Sequence, residues 1–191
     1  MGDIVDIIPE SHRKALPSGT YRYVQIQDIW DGGYTVSTLK GWELPSRARH
    51  KASPGDIFAG KIWNSVGKWF MAGGATDDLI VTNGCYRLRV KQGKEDLLPD
   101  LVLGMCSEAY RVQMRGFATG SDGLAEIVEQ DFNEVVLPNI KTEEARRSAK
   151  RHLALYKEGH ATLKSYVSEV EKAGSENIPY VPDRKTVFVQ V

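Results

Sequence analysis

The chain has 191 residues, of which 41% are hydrophobic, 26% charged and 9% aromatic, values that exclude a disordered, collagenous or membrane-spanning polypeptide and fit one compact domain with an appendage. Lys plus Arg and Asp plus Glu both number 25, so neither a basic coat nor an acidic tail dominates, and any charge-driven partner must be met by local clustering. Cys85 and Cys106 lie outside any CxxC or Cys/His ligand spacing, and Met1-Gly2-Asp3 runs into Ile4-Val5-Asp6-Ile7-Ile8 without the order of a signal peptide; the chain reads as cytoplasmic, with reduced structural thiols, no metal and no cofactor.

Short runs rich in Val, Ile, Tyr and Trp, separated by Gly, Pro, Asn and Asp, predict a β-rich domain up to about Val90. Tyr21 to Ile29 reads as one central strand stopping at Asp31-Gly32-Gly33. Leu79-Ile80-Val81-Thr82, Asn83-Gly84 and Cys85 to Val90 read as a hairpin, because Asn-Gly supplies the positive φ angles of a two-residue primed turn. Alternation then puts Tyr86, Leu88 and Val90 inward and Arg87 and Arg89 outward. Pro99 and Asp100 open a helix through Met105 that continues or restarts through Tyr110, Val112 and Met114, with Gly104 as its weak point. A loop from Gly116 to Gly123 follows, and Pro138 marks a boundary after Val135-Val136-Leu137.

From Thr142 a long helix is expected, with Glu143 and Glu144 in its first turn and Gly174 just past its end. Ala149, Leu153, Tyr156, His160, Leu163, Val167 and Val170 alternate at spacings of four and three, a heptad seam for a partner helix. About 32 helical residues make a rod of roughly 48 Å, longer than a small β domain needs to cover its core. The chain both begins and ends on β-like runs, as expected of a piece of a longer polypeptide or of one with a partner at its ends.

Enzyme motifs fail on spacing. Gly60 to Trp69 has too many residues between its glycines for a phosphate-binding loop, and Trp69 stands where a Ser or Thr would hold Mg²⁺. Asn177-Ile178-Pro179-Tyr180 departs at its second residue from the Asn-Pro-Pro-Tyr of adenine methyltransferases, and Phe70-Met71-Ala72-Gly73-Gly74 is no methyl-donor loop. His12, His50, His152 and His160 have no metal-ligand spacing, and no Gly-x-Ser-x-Gly elbow supports a hydrolase triad. What stands out is charge: between residues 40 and 68, Lys40, Arg47, Arg49, Lys51, Lys61 and Lys68 face only Glu43 and Asp56, with Trp42, Trp63, Asn64 and Trp69 nearby in sequence. Guanidinium and ammonium groups neutralise phosphates, and Arg and Asn also read base edges. Charged loops are equally the ordinary clothing of a soluble domain, so composition alone ends at a β-rich domain, a basic loop and a protruding helix.

Several segments, in order, resemble the target recognition domain of type I restriction-modification specificity subunits. Tyr21 to Ile29 resembles its opening strand, Pro54-Gly55-Asp56-Ile57-Phe58-Ala59 its Gly-Asp-Ile-Leu strand, and Ile80 to Leu88 its mid-domain hairpin. Gln113 to Ser121 resembles the segment ending in Gly-Ser, and Val135-Val136-Leu137-Pro138 the exit into a spacer helix. The usual Pro-Leu-Pro-Pro-x-x-Glu-Gln run is replaced by Pro138-Asn139-Ile140-Lys141-Thr142-Glu143, and 178–191 has no counterpart.

The resemblance implies an α/β (α+β) fold: a β-rich DNA target recognition domain over 1–138, one long C-terminal spacer helix over 139–174 and a short tail over 175–191. It implies a non-catalytic component that directs a partner or fused adenine methyltransferase and nuclease to DNA. Its partners would be double-stranded DNA, the methyltransferase (modification) and restriction subunits, and a second recognition half or copy along the helix. Lys51, Lys61 and Lys68 are the candidates for phosphates, Arg47, Arg49 and Asn64 for bases, with His50 among them and Arg115 and Ser121 as a second set. The alternatives are a protein-interaction module acting through the heptad seam and, behind it, a hydrolase with a triad drawn from distant loops.

Overall fold

Leu79–Thr82 and Cys85–Val90 are apolar enough to be central strands, and each is central, but in a different sheet. In the computed structural model, residues 1–10, 18–30, 32–120, 125–137 and 142–157 are described, the side chains of 152, 153 and 155–157 excepted. Ten strands are found among them: β1 Val5–Ile8, β2 Thr20–Val24, β3 Ile29–Trp30, β4 Gly33–Tyr34, β5 Ser37–Lys40, β6 Ala48–Lys51, β7 Ile57–Gly60, β8 Trp69–Met71, β9 Leu79–Thr82 and β10 Cys85–Val90. The helices are α1 Leu98–Met105, α2 Glu108–Phe117, α3 Glu129–Glu134 and α4 Glu143–Lys157.

One antiparallel sheet has the order β1-β10-β7-β8, the other the order β5-β2-β9-β6 with β2 and β9 parallel, and β3 pairs with β4. Side-chain alternation sorts the cores into layers. Val24, Leu79 and Val81 of one sheet meet Phe58, Phe70 and Cys85 of the other. Ile57, Ala59, Trp69, Met71, Tyr86 and Leu88 point the opposite way, onto Leu101, Met105, Tyr110, Met114 and Phe132 of the helices. β7 is buried on both faces for this reason. The outer face of the second sheet is closed by Leu44 against Tyr23, Ala48 and Ile80.

The expected hairpin at Asn83-Gly84 is therefore a corner. Gly84 has no positive φ, Asn83 N–H donates to Arg47 O at 2.8 Å, and Lys61 N–H donates to Gly84 O at 3.0 Å. The chain leaves one sheet and enters the other because Val81 and Cys85 both belong to the inter-sheet core, which a hairpin within one sheet would not bury. Tyr21 to Ile29 is also shorter than expected as a strand: β2 ends at Val24 and a 3₁₀ turn over Ile26–Asp28 precedes β3. Its central position holds, between β5 and β9.

Arg87 corrects a second expectation. It faces away from Tyr86 and Leu88, but that side is covered, and its side chain is 9% exposed against an Asp56 that is 0% exposed. Arg87 Nε donates to Asp56 Oδ2 at 2.6 Å, and Arg89 Nη2 to Asp56 Oδ1 at 2.7 Å. Of the two courses expected of the helical half, continuation or restart, the second holds: Ser107, not singled out in the sequence, caps α2, its Oγ accepting from Tyr110 N–H at 3.1 Å. The long helix begins at Glu143 and is described to Lys157. Ala145 and Ala149 pack on Leu103 of α1, and Arg146 donates to Asp100 at 3.2 Å. Ala149 is thus covered by the chain's own α1, a correction to its place in a partner seam. Leu153 and Tyr156 lie where side chains are not described, and His160, Leu163, Val167, Val170 and the tail lie outside the described residues.

Candidate nucleic-acid interface

Strand directions gather the basic candidates at one end of the two sheets. The ends of β2, β7 and β9, and the starts of β6, β8 and β10, meet at the Asn83-Gly84 corner: Val24 pairs with Val81, Ala48 with Thr82, Cys85 with Gly60, and Ala59 with Trp69. Arg47 enters β6 there, exposed, its carbonyl held by Asn83 N–H. Its guanidinium acts electrostatically on the Tyr23 phenol, which bonds to Thr82 and whose pKa is raised chiefly by burial. Lys61 and Lys68 flank the connection between β7 and β8, and both act on the Cys85 thiol, which burial nevertheless pushes up to about 12.

The two lysines are differently engaged. Lys61 Nζ lies 3.5 Å from Glu126 and 5.7 Å above the Tyr86 ring. Lys68 Nζ donates to Ile26 O at 3.2 Å. Between them Trp63–Ser65 forms a 3₁₀ turn whose Trp63 and Asn64 side chains are exposed. This connection carries no helix N-terminus for a phosphate, in keeping with the failed loop motif.

Arg49 and Lys51 are exposed on β6, with Lys51 paired to Ile80 and so farther from the corner. His50 leaves the set. Its residue is 3% exposed, and its Nε2 lies 3.1 Å from Cys85 O, because β6 alternates Ala48 and His50 inward with Arg49 and Lys51 outward. The stretch after Pro45 is accordingly a sheet edge rather than a loop.

Arg115 stands on α2, 3.8 Å from Glu108. One turn earlier Arg111 reaches the basic end, since a side chain at Gly67 would meet its Cγ at 3.1 Å. Arg111 escaped the sequence reading; its four-residue spacing from Arg115 on a helix was the available signal. Ser121 lies outside the described residues, but the two stems of its loop are tied to the same end. Thr119 and Glu126 form a bridge, and Glu126 bridges Ile62. Thus Arg47, Lys61, Asn64 and Lys68 are brought together, Arg49 and Lys51 adjoin them along β6, and Arg115 stands apart on a helix.

Among the described residues no three His, Cys, Asp or Glu side chains group as ligands for a metal ion, and no helix is long and apolar enough to cross a membrane. No protein-family model matches the sequence, and no curated protein does.

The fold is that of the specificity subunits of type I restriction-modification systems. The chain is similar to the HsdS subunit from Thermoanaerobacter tengcongensis, with a TM-score of 0.60 at 20% identity over 92% of this chain and 43% of that one. A chain in a structure described as showing complex assembly and conformational transition of the type I R-M system gives 0.59 at 20% identity, with the same coverage. The type I restriction-modification S subunit from M. genitalium gives 0.50 at 13% identity over 82% of this chain and 37% of that one. This chain therefore spans less than half the length of the solved subunits it matches.

Proposed function

We propose that residues 1–138 are a DNA target recognition domain, that 139–174 form a spacer helix, and that the chain is the non-catalytic specificity component of a restriction-modification system. It directs a partner or fused adenine methyltransferase and nuclease, which supply the chemistry. The observation that carries the reading is the meeting of Arg47, Lys61, Asn64 and Lys68, from separate strands and turns, at the Asn83-Gly84 corner. The fold likeness over 92% of the chain supports it. A cytoplasmic site of action accords with DNA as the target. A spacer helix calls for a second recognition half or a second copy, and the residues beyond Ala149 are its candidate seam.

Phosphate contacts from Lys51, Lys61 and Lys68 would set the register, and Arg47, Arg49 and Asn64 would read bases. The test is selection of duplexes from a random pool by the full chain, with and without its modification partner, at several salt concentrations. Enrichment of a short half-site whose binding weakens as salt rises is the expected result. Failure to retain any duplex in either arm overturns the reading.

A further inference from the structure

The turn between β7 and β8 holds an indole in solvent on an unusually well-fastened tip. Trp63 is 44% exposed, whereas Trp69, a few residues on, is 0% exposed. Ser65 closes the turn from inside: Ile62 N–H donates to Ser65 Oγ at 3.1 Å, and Ser65 Oγ donates to Ile62 O at 2.7 Å. From outside, Trp63 N–H donates to Ala125 O at 2.8 Å, and Ile127 N–H donates to Lys61 O at 2.9 Å. Gly60 completes the fastening, because a Cβ there would overlap the Ser65 carbonyl. The backbone of Trp63 and Asn64 is thus ordered before any partner arrives, and their side chains stand exposed between Lys61 and Lys68.

Trp63 at 44% exposure forgoes part of the about 1.5–3 kcal/mol that full burial of a large apolar side chain gives; unlike Trp42, it does so on a backbone fastened from both sides, which suits it as a contact point. The turn is flanked in the chain by Lys61 and Lys68 and lies at the sheet end where Arg47 is exposed, which favours a polyanion over an apolar protein face, and the Asn64 carboxamide next to the indole matches the donor and acceptor pair of an adenine edge. The geometry points to Trp63 as the residue that packs against apolar base edges, such as a thymine methyl, in a groove of duplex DNA, with Asn64 beside it reading an adenine. This rests on the DNA-reading function proposed above and adds a residue through which affinity is gained without phosphate neutralisation.

The two kinds of contact differ in their response to salt. Neutralising a phosphate releases counterions and steepens the fall of affinity with salt, whereas packing against a base does not. The experiment uses the full chain and the duplex that the unaltered chain selects, and measures affinity at several salt concentrations for Trp63→Ala, Trp63→Phe, Asn64→Ala and Lys68→Ala. Trp42→Ala is the control, since Trp42 is 71% exposed on the connection between β5 and β6, and circular dichroism checks the fold of each variant.

Trp63→Ala is expected to weaken binding about tenfold or more with the salt slope unchanged, Trp63→Phe to keep most of the affinity, and Asn64→Ala to relax the preference at one base pair. Lys68→Ala is expected to flatten the slope by about one, and Trp42→Ala to change nothing. Unaltered affinity in folded Trp63→Ala, or a slope flattened as in Lys68→Ala, overturns the assignment of Trp63 while leaving the DNA-reading function standing. If the unaltered chain selects no duplex, with or without its modification partner, both fall together.

Discussion

Asp56 and His50 show how burial changes what a polar side chain does. Asp56 is fully covered, accepts from Ser53 N–H at 2.8 Å and serves two guanidinium groups. Removing it as Asp56→Ala leaves the buried Arg87 without its counter-charge, with only the Ser53 hydroxyl at 3.0 Å to accept from it, at an expected cost of about 3–5 kcal/mol in urea unfolding. Arg89→Ala should cost about 1 kcal/mol or less, because the Arg89 side chain is half exposed.

His50 has its pKa lowered from 6.5 by burial, with the Cys85 carbonyl and Glu10 opposing that effect and Arg87 and Lys61 adding to it. The unfolded chain then takes up the proton more readily than the folded one. Stability is full above the unfolded value and falls as pH drops through about 6.5 toward the lower folded value. The urea midpoint should decline from about pH 7.5 to about pH 5.5, and decline less in His50→Gln. Burial of His50 was not readable from its basic neighbours in sequence; it follows from the inward phase of a strand whose existence the polar composition of 46–51 obscured.

Among the elements, the interrupted helical region was the most legible. Pro99 near the start of α1 and Glu143 and Glu144 opening α4 each act as their residue types dictate, while the Ser107 cap of α2 was missed although its residue type is a cap signal. Gly104 was legible only as a weakness, and its reason is tertiary. A Cβ there would lie 3.0 Å from Leu137 Cδ2 and 3.1 Å from Leu137 Cβ. Gly104→Ala should therefore forfeit the roughly 1 kcal/mol that alanine normally adds to a helix and lose about 1–3 kcal/mol through overpacking. Thermal unfolding of Gly104→Ala with and without Leu137→Ala tests this, the second change restoring part of the loss.

The same logic governs the turn before β8. Gly60→Ala must displace the Ser65 carbonyl, so under the DNA-reading function it should weaken duplex binding by loosening the Trp63 tip even where the fold survives. Binding equal to that of the unaltered chain in a folded Gly60→Ala protein would show that the fastening of this turn is immaterial.

For the molecule as a whole, the decisive feature is that formal charge sums to zero while one end of the sheets collects cations. With no general attraction to polyanions, single changes at that end should register strongly under the DNA-reading function proposed above: Arg47→Ala should then cost about 1–3 kcal/mol toward a selected duplex, measured by titration at fixed salt. The β-rich first half, the helical second half, the basic stretch and the start of the long helix could all be read from the sequence, because turn residues, alternation and capping are local chemistry. Even the ordered segments that resemble a recognition domain are strings of local signals.

What only the tertiary structure decided is pairing across distance. It made Asn83-Gly84 a corner between sheets, covered the outward face of Arg87, turned His50 inside, set Ala149 on Leu103 and drew Arg47, Lys61, Asn64 and Lys68 to one end. The physical reason is that an alternating pattern states that a strand has two faces but not what covers each. That choice rests on the packing of Val81, Cys85, Phe58 and Phe70 between two sheets, an arrangement to which residues distant in sequence contribute and which none of them encodes alone.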